Sequence, residues 1–315
     1  MTKPLKRVED IQLREKMLVN DVIMQMGGAG GFMGRRLAEA VDIMEDIVSD
    51  EQCLTFLSFP AAPVATGLRG VLRDLVRRKL VDVIVTASGT LDHDLARSYA
   101  SYYHGDFNLD DVVLHRRGYH RLGNILVPRE SYGPLLERKL QPFLEQLYSK
   151  GIRQISSSEL CERLGRFVDN QSSILYWATR NQVPVFVPGL TDGAVGSQLW
   201  LFSQRHHDFK IDILMDEQKL SDLVFSAKKS GAIIIGDGIT KHHTLWWNQF
   251  RGGLDRAVYI TTGSEYDGSL TGAHVREAVS WGKVRVSAKY ATIWGDATAL
   301  LPFMVAALLE RLRSD

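Results

Sequence analysis

Residues 280–285 read SWGKVR and place one ammonium, Lys283, directly after a tryptophan and its glycine. Two readings of Lys283 stand on the residues alone. In one it is a solvated side chain on a surface turn, with Trp281 covering an edge. In the other it is a nucleophile: a lysine amine attacks carbon only when uncharged, and an apolar or aromatic wall lowers its pKa toward the working range by desolvation. A second kind of chemistry is written in small and acidic clusters, TASGTLDHD, TDGAVG, GDG, TTGSEYDGS and GDA, each of which closes an apolar run. Any one of them is explained by the conformational needs of a strand-to-helix turn. Five together point to a dinucleotide, because glycines there let a phosphate or ribose approach the main chain. The usual G-x-G-x-x-G fingerprint is absent, since GGAGGF at Gly27 to Phe32 precedes a helical pattern but follows no strand; an ordinary dehydrogenase is disfavoured.

The elements that must position these residues alternate. FMGRRLAEAVDIMEDIVSD carries Leu37, Val41, Met44 and Val48 on one stripe and predicts a helix ending at Ser49 and Asp50. CLTFLSF reads as a buried strand, PAAPVATG as a loop, and LRGVLRDLVRRKL as a helix with a basic outer face. VDVIVTASG has the apolar continuity of a central parallel strand covered on both faces. PVFVPGLTDG, GAIIIGDG, AVYITTGSEYDG and ATIWGD repeat the strand-and-tip pattern, and ATALLPFMVAALLERL closes the chain as a helix. In an open parallel sheet ligands lie beyond the carboxyl ends of the strands, where these tips fall. The expected fold class is therefore α/β, with a mostly parallel sheet. With no internal repeat or clear linker, one catalytic domain over residues 31–315 is expected after an N-terminal extension at 1–30.

Bulk composition narrows the partners. Thirty-eight basic against thirty-seven acidic residues leave a formal charge of +1, so no global field draws nucleic acid or an anionic membrane. Cys53 and Cys161 are too few for a disulfide scaffold, lack metal-ligand spacing and read as small apolar core residues. The start MTKPLKRVED has no apolar signal-peptide core, and ALLPFMVAALL is too short to span a bilayer. The expected place is the cytoplasm, with no metal.

IIIGDGITKHH, AVYITTGSEYDGSLTGAHVREAVSWGKVRV and GDATALLP resemble the C-terminal half of deoxyhypusine synthases. Upstream, VDVIVTASGTLDHDL, HRLGNILVP and PVFVPGLTDGAVG are similar to the same family in the same order, so the resemblance covers most of the chain beyond about residue 30. It implies a doubly wound, mostly parallel sheet of Rossmann-like NAD-binding topology and a homotetramer with NAD and a polyamine in clefts between paired subunits. The implied reaction oxidises spermidine to an imine, releases diaminopropane, and carries the aminobutyl group on an enzyme lysine to an acceptor amine. That acceptor is a lysine of a translation factor in deoxyhypusine synthases and a small diamine in the related homospermidine synthases. A catalytically silent NAD-binding relative is the remaining alternative. By the resemblance Lys283 is the covalent carrier, Glu277 the carboxylate facing the polyamine, and His242 the proton acceptor, with His243 structural. Trp281 and Gly268 fall at substrate positions. For NAD it implies Thr86, Gly89, Asp92, Asp192, Gly236, Gly238, Thr262, Gly263, Asp267, Asp296 and Ala297, whose carboxylates suit ribose hydroxyls and disfavour a second phosphate.

Departures cluster on the substrate side. Ser197 and Leu270 stand where the family has acids, and Trp246 where it has an asparagine. Losing a charged partner from a buried amine costs about 3–5 kcal/mol, so the identity of the amine is affected more than the type of reaction. Trp246 and Trp247 either shorten the cleft, stack on a different cation such as a guanidinium, or simply pack in a helix. His93 replaces a glutamate beside Asp92, Asp237 interrupts a glycine triplet, and Ala61, Ala62 and Ala65 replace polar nucleotide-loop residues.

Overall fold

The computed structural model describes residues 5–236 and 238–313, so Asp237 lies outside the described residues. Six strands build the central sheet: β1 (Cys53–Phe59), β2 (Val83–Thr86), β3 (Val185–Phe186), β4 (Lys229–Ile235), β5 (Leu254–Thr261) and β6 (Val284–Trp294). Across the sheet they run β6-β5-β4-β1-β2-β3, and every neighbouring pair is parallel. The chain thus builds outward from β1 in one direction and from β4 in the other, which is the doubly wound, Rossmann-like order with its switch point between β1 and β4. The helices that bear on the site are α1 (Val19–Ala29), α2 (Phe32–Val48), α3 (Arg69–Arg77), α4 (Ser88–Tyr99), α5 (Ala194–Arg205), α6 (Ile239–Gln249), α7 (Val275–Ser280) and α8 (Ala297–Arg311).

The two-residue period of the strands divides the core into two faces. Leu57, Ile233, Ile235, Val258, Ile260 and Ile293 point to one side and meet Val41, Met44 and Ile47 of α2, Leu72 of α3 and Met304 of α8. Phe56, Val83, Ala232, Ile234, Ala257 and Tyr259 point to the other and meet Leu245 of α6 with Val275 and Ala278 of α7. Each fully buried aliphatic side chain contributes about 1.5–3 kcal/mol, which is why the near-continuous apolar runs settle as covered strands.

Several elements differ from their sequence pattern. On α2 the buried stripe ends on Ile47, and Val48 is only half-buried. Residues 62–65 of the expected loop form a short helix, with Pro63 in its first turn. β2 is wholly buried but lies second from the sheet edge, and β3, the edge strand, keeps only two residues. β6 runs eleven residues, beginning directly after Lys283; its first half, rich in exposed polar residues and separated by a register shift, hid it from an apolar-run reading. GGAGGF is the end of α1, where Gly30 takes the left-handed conformation at φ 73, and the start of α2. α1 is tied to the body by Glu310, which accepts from the backbone of Asn20 at 2.8 Å, and by Arg311, which donates to Asn20, Asp42 and Glu45. HRLGNILVP forms most of a small antiparallel sheet of Tyr103–His104, Tyr119–Leu122 and Ile125–Pro128. Among the described residues no helix is long and apolar enough to cross a membrane.

Candidate active site

The SWGK stretch has a local physical explanation. α7 ends in a paired cap: the N–H of Gly282 donates to Val279 at 3.0 Å and that of Lys283 to Ala278 at 2.9 Å. This motif needs a left-handed residue after the helix, and Gly282 supplies it at φ 68 without a Cβ penalty. The Lys283 carbonyl then accepts from Leu254 of β5 at 3.0 Å. Lys283 is therefore fixed on both sides of its own backbone at the junction of α7 and β6. Its half-buried side chain enters a cleft of about 290 Å³ between α6 and α7, over Tyr259 of β5.

The cleft unites the residues singled out for chemistry. Lys283, His242 and Glu277 all line it, together with Trp281, Trp246 and Leu270. The Lys283 Nζ lies 5.2 Å from the ring centre of Trp281 and 5.8 Å from that of Trp246, within reach of both ring faces. His242 stacks on Trp246, with ring centres 5.7 Å apart and planes 22° apart. Burial, reinforced by the positive charge of Lys283, holds the His242 imidazole below its ordinary pKa of 6.5. His243 turns away to Glu217, at 3.3 Å. The expected desolvating wall is incomplete within one chain: Trp281 is 67% exposed, because it sits at the cap of a six-residue helix and projects from it.

Ser197 and Gly268 do not line this cleft. Ser197, in the first turn of α5, donates to the Gly193 carbonyl at 3.1 Å, and Gly268 is exposed in the loop after β5. That loop carries Thr262, Gly263, Asp267 and Leu270 and closes tightly on itself; a Cβ at Gly272 would come within 1.7 Å of the Ser264 carbonyl.

The residues assigned to NAD gather at or just beyond the carboxyl ends of the strands, and none lines the Lys283 cleft itself. They fall into two groups. Asp192, Gly238, Thr262 and Asp267 are exposed, and Gly236 and Gly238 hold positive φ of 70 and 76, so main chain without a side chain faces the crevice beside the switch point. Half-buried Gly263 accepts from the Trp294 indole at 3.0 Å, and exposed Asp296 caps α8 through Thr298, just before half-buried Ala297. The other group is sealed. Thr86 is fully buried and its hydroxyl donates to Phe59 at 2.8 Å. Gly89 allows α4 to approach residue 61, where a Cβ would meet that of Ala61 at 2.8 Å. Asp92 is fully buried and accepts from Ala194 and Val195 at 2.8 and 2.7 Å and from the Tyr132 hydroxyl at 2.7 Å. In this chain Thr86 and Asp92, both expected at the cofactor, hold the floor and the start of α5 through these bonds. Their neighbour His93, which bonds to Tyr102 at 3.0 Å, is pushed by burial down to about 4.

Lys241, Leu245, Tyr259, Ala273, His274 and Ala278 also line the cleft and escaped the sequence reading. Tyr259 is 2% exposed, and its hydroxyl has no hydrogen-bond partner among the described residues. Burial and the Glu277 charge push its pKa up. Lys241, 1% exposed, donates to the carbonyls of Leu270 and Ala273, each at 2.9 Å, and lies 4.5 Å from the Tyr259 ring centre. The signal for Lys241 was its place beside His242; Tyr259 looked like any aromatic residue of a core strand.

Fold and cleft together define a doubly wound α/β protein with a lysine held between indoles on one face of its sheet. The family model for deoxyhypusine synthase matches residues 21–308. A relative from Picrophilus torridus named "Probable deoxyhypusine synthase" is 52% identical over 303 residues, covering 96% of this chain and 97% of its own. One of the same name from Thermoplasma volcanium is 52% identical over 304 residues, with the same shares covered. The crystal structure of an Entamoeba histolytica protein named for deoxyhypusine synthase superposes with a TM-score of 0.67 at 18% identity, over 96% of this chain and 97% of that one, and shows the shared fold. The chain belongs to the deoxyhypusine synthase family, a family of transferases.

Proposed function

We propose that the protein is an NAD-dependent aminobutyl transferase that takes a four-carbon amine group from a polyamine such as spermidine and delivers it, through Lys283, to an acceptor amine. The acceptor is a peptidyl lysine of a translation factor, giving deoxyhypusine, and the site works in the cytoplasm within a homotetramer. The single observation carrying this reading is the placement of Lys283 between two indoles in one cleft with His242 and Glu277. When bound, NAD supplies a hydride acceptor and donor, which makes an amine carbon electrophilic and later saturates the product.

The exposed group at the strand ends fits a dinucleotide. Gly236 and Gly238 leave bare main chain at the crevice, and Asp192, Thr262, Asp267 and Asp296 offer oxygen partners for hydroxyls, with Gly263 and Ala297 beside them. The remaining roles belong to the cleft. Glu277 is the counter-charge for a substrate ammonium, and the unpartnered Tyr259 hydroxyl offers it an acceptor. His242, held largely in its free-base form, takes a proton from the amine. The Lys283 amine bonds to the activated carbon, diaminopropane departs, and the group rests on Lys283 as an imine until an acceptor amine displaces it.

The test supplies purified protein with NAD and labelled spermidine, together with either the acceptor translation factor or putrescine. Label on the factor's lysine is expected. Label on putrescine alone would convert the reading to small-diamine transfer, and label on neither would leave a silent nucleotide-binding protein.

A further inference from the structure

One indole touches both reactive groups of the cleft. Trp246 stacks on His242 four residues earlier on α6, and the same ring lies 5.8 Å from the Lys283 Nζ. The Phe250 ring, four residues further on, meets its edge at 5.8 Å and 89°, so the indole is held within a ladder along one helix face. Trp246 is itself 43% exposed and is not needed by either core. We propose that Trp246 is a positioning residue that sets the separation of His242 from Lys283, holding the proton acceptor and the nucleophile on one rigid ring.

This inference rests on the roles given to His242 and Lys283 above, but its structural content does not. An imidazole and an ammonium that both meet one indole ring are kept near each other by that ring, each still able to meet a substrate. Around His242 the titratable groups lining the cleft are Lys283 just before β6, Glu277 and His274 from α7 and its cap, Tyr259 from β5 and Lys241 from α6; His243 follows it on the helix and pairs with Glu217. His242 is itself an exposed residue whose ring is covered in part by Trp246, and removing the indole uncovers more of the imidazole while leaving these charges in place. Its titration then moves up toward the ordinary value, since burial is the larger cause of its depression.

The test compares wild type with Trp246→Phe and Trp246→Ala, reading the His242 imidazole by NMR pH titration and the formation of the trapped Lys283 adduct against pH. Trp246→Ala is expected to raise the His242 titration, carry the acid limb of the adduct rate with it, and slow the adduct at fixed pH by about tenfold, the order of one ring-face contact. Trp246→Phe, which keeps a ring, is expected to stay within about threefold of wild type, a contact difference of the same kind. An unmoved His242 titration in Trp246→Ala, or an equal loss in the two variants, overturns the inference. Lys283→Arg separates the two levels: an adduct that survives it removes the lysine reading, while the His242 titration still reports on the indole.

Discussion

At the scale of single residues, the proposed site combines a lysine whose backbone is pinned, assigned as nucleophile, with a histidine whose charge is suppressed, assigned as proton acceptor. Lys283 is fixed by two main-chain hydrogen bonds that any residue could make, but only after a glycine able to adopt φ 68. That requirement made SWGK legible as a motif without revealing its shape. His242 lies below 6.5 through burial and the charge of Lys283, so it stays a base at neutral pH. Because a base works only unprotonated, the rate of adduct formation is expected to rise with pH through a value below 6.5 and then level. A pH–rate profile checks this, and His242→Gln should lose that limb together with about 10²–10⁴-fold in rate, the usual contribution of a positioned base. Tyr259 was illegible for a physical reason: an aromatic residue on a covered strand has the same pattern whether or not its hydroxyl is satisfied, and only coordinates expose the orphan oxygen.

At the scale of elements, the cleft depends on how α6 holds the loop between β5 and α7. Lys241 reaches from α6 to the carbonyls of Leu270 and Ala273 and so closes the loop over Tyr259. Lys241→Met fills similar volume but takes the donor from the Ala273 carbonyl and leaves the Leu270 carbonyl only the Ala273 N–H at 3.3 Å, and it is expected to lower stability by about 1–3 kcal/mol, the cost of one unsatisfied group. Denaturant unfolding reads that loss, and proteolysis within residues 262–274 should quicken in the same variant. The strands and helices feeding this region were readable from apolar runs and small-residue tips because both faces of the sheet are covered. The assignment of individual tips was not. Thr86 and Asp92 sit at such a tip but turn inward in this chain, where Asp92 caps the start of α5. Sequence records that an acid follows a strand; it does not record which way the acid faces.

At the scale of the whole molecule, the parallel sheet followed from the alternation of runs and its Rossmann-like order from the family resemblance, whereas the completeness of the site followed from neither. Trp281 at 67%, Trp246 at 43% and Trp200 at 63% exposure leave three indoles open to water on a single chain. Aromatic residues are enriched where subunits meet, which agrees with the proposed oligomer. The expected particle is a tetramer, with four times the 35.4 kDa chain mass by light scattering, and iodide quenching of tryptophan fluorescence should increase when it is diluted into monomers. The most direct measurement of the central claim is mass mapping after borohydride reduction of the protein incubated with NAD and spermidine. The account predicts a four-carbon amine adduct on Lys283 in wild type and none in Lys283→Arg. An adduct on another residue, or no adduct on a protein that still transfers the group to its acceptor, would contradict it.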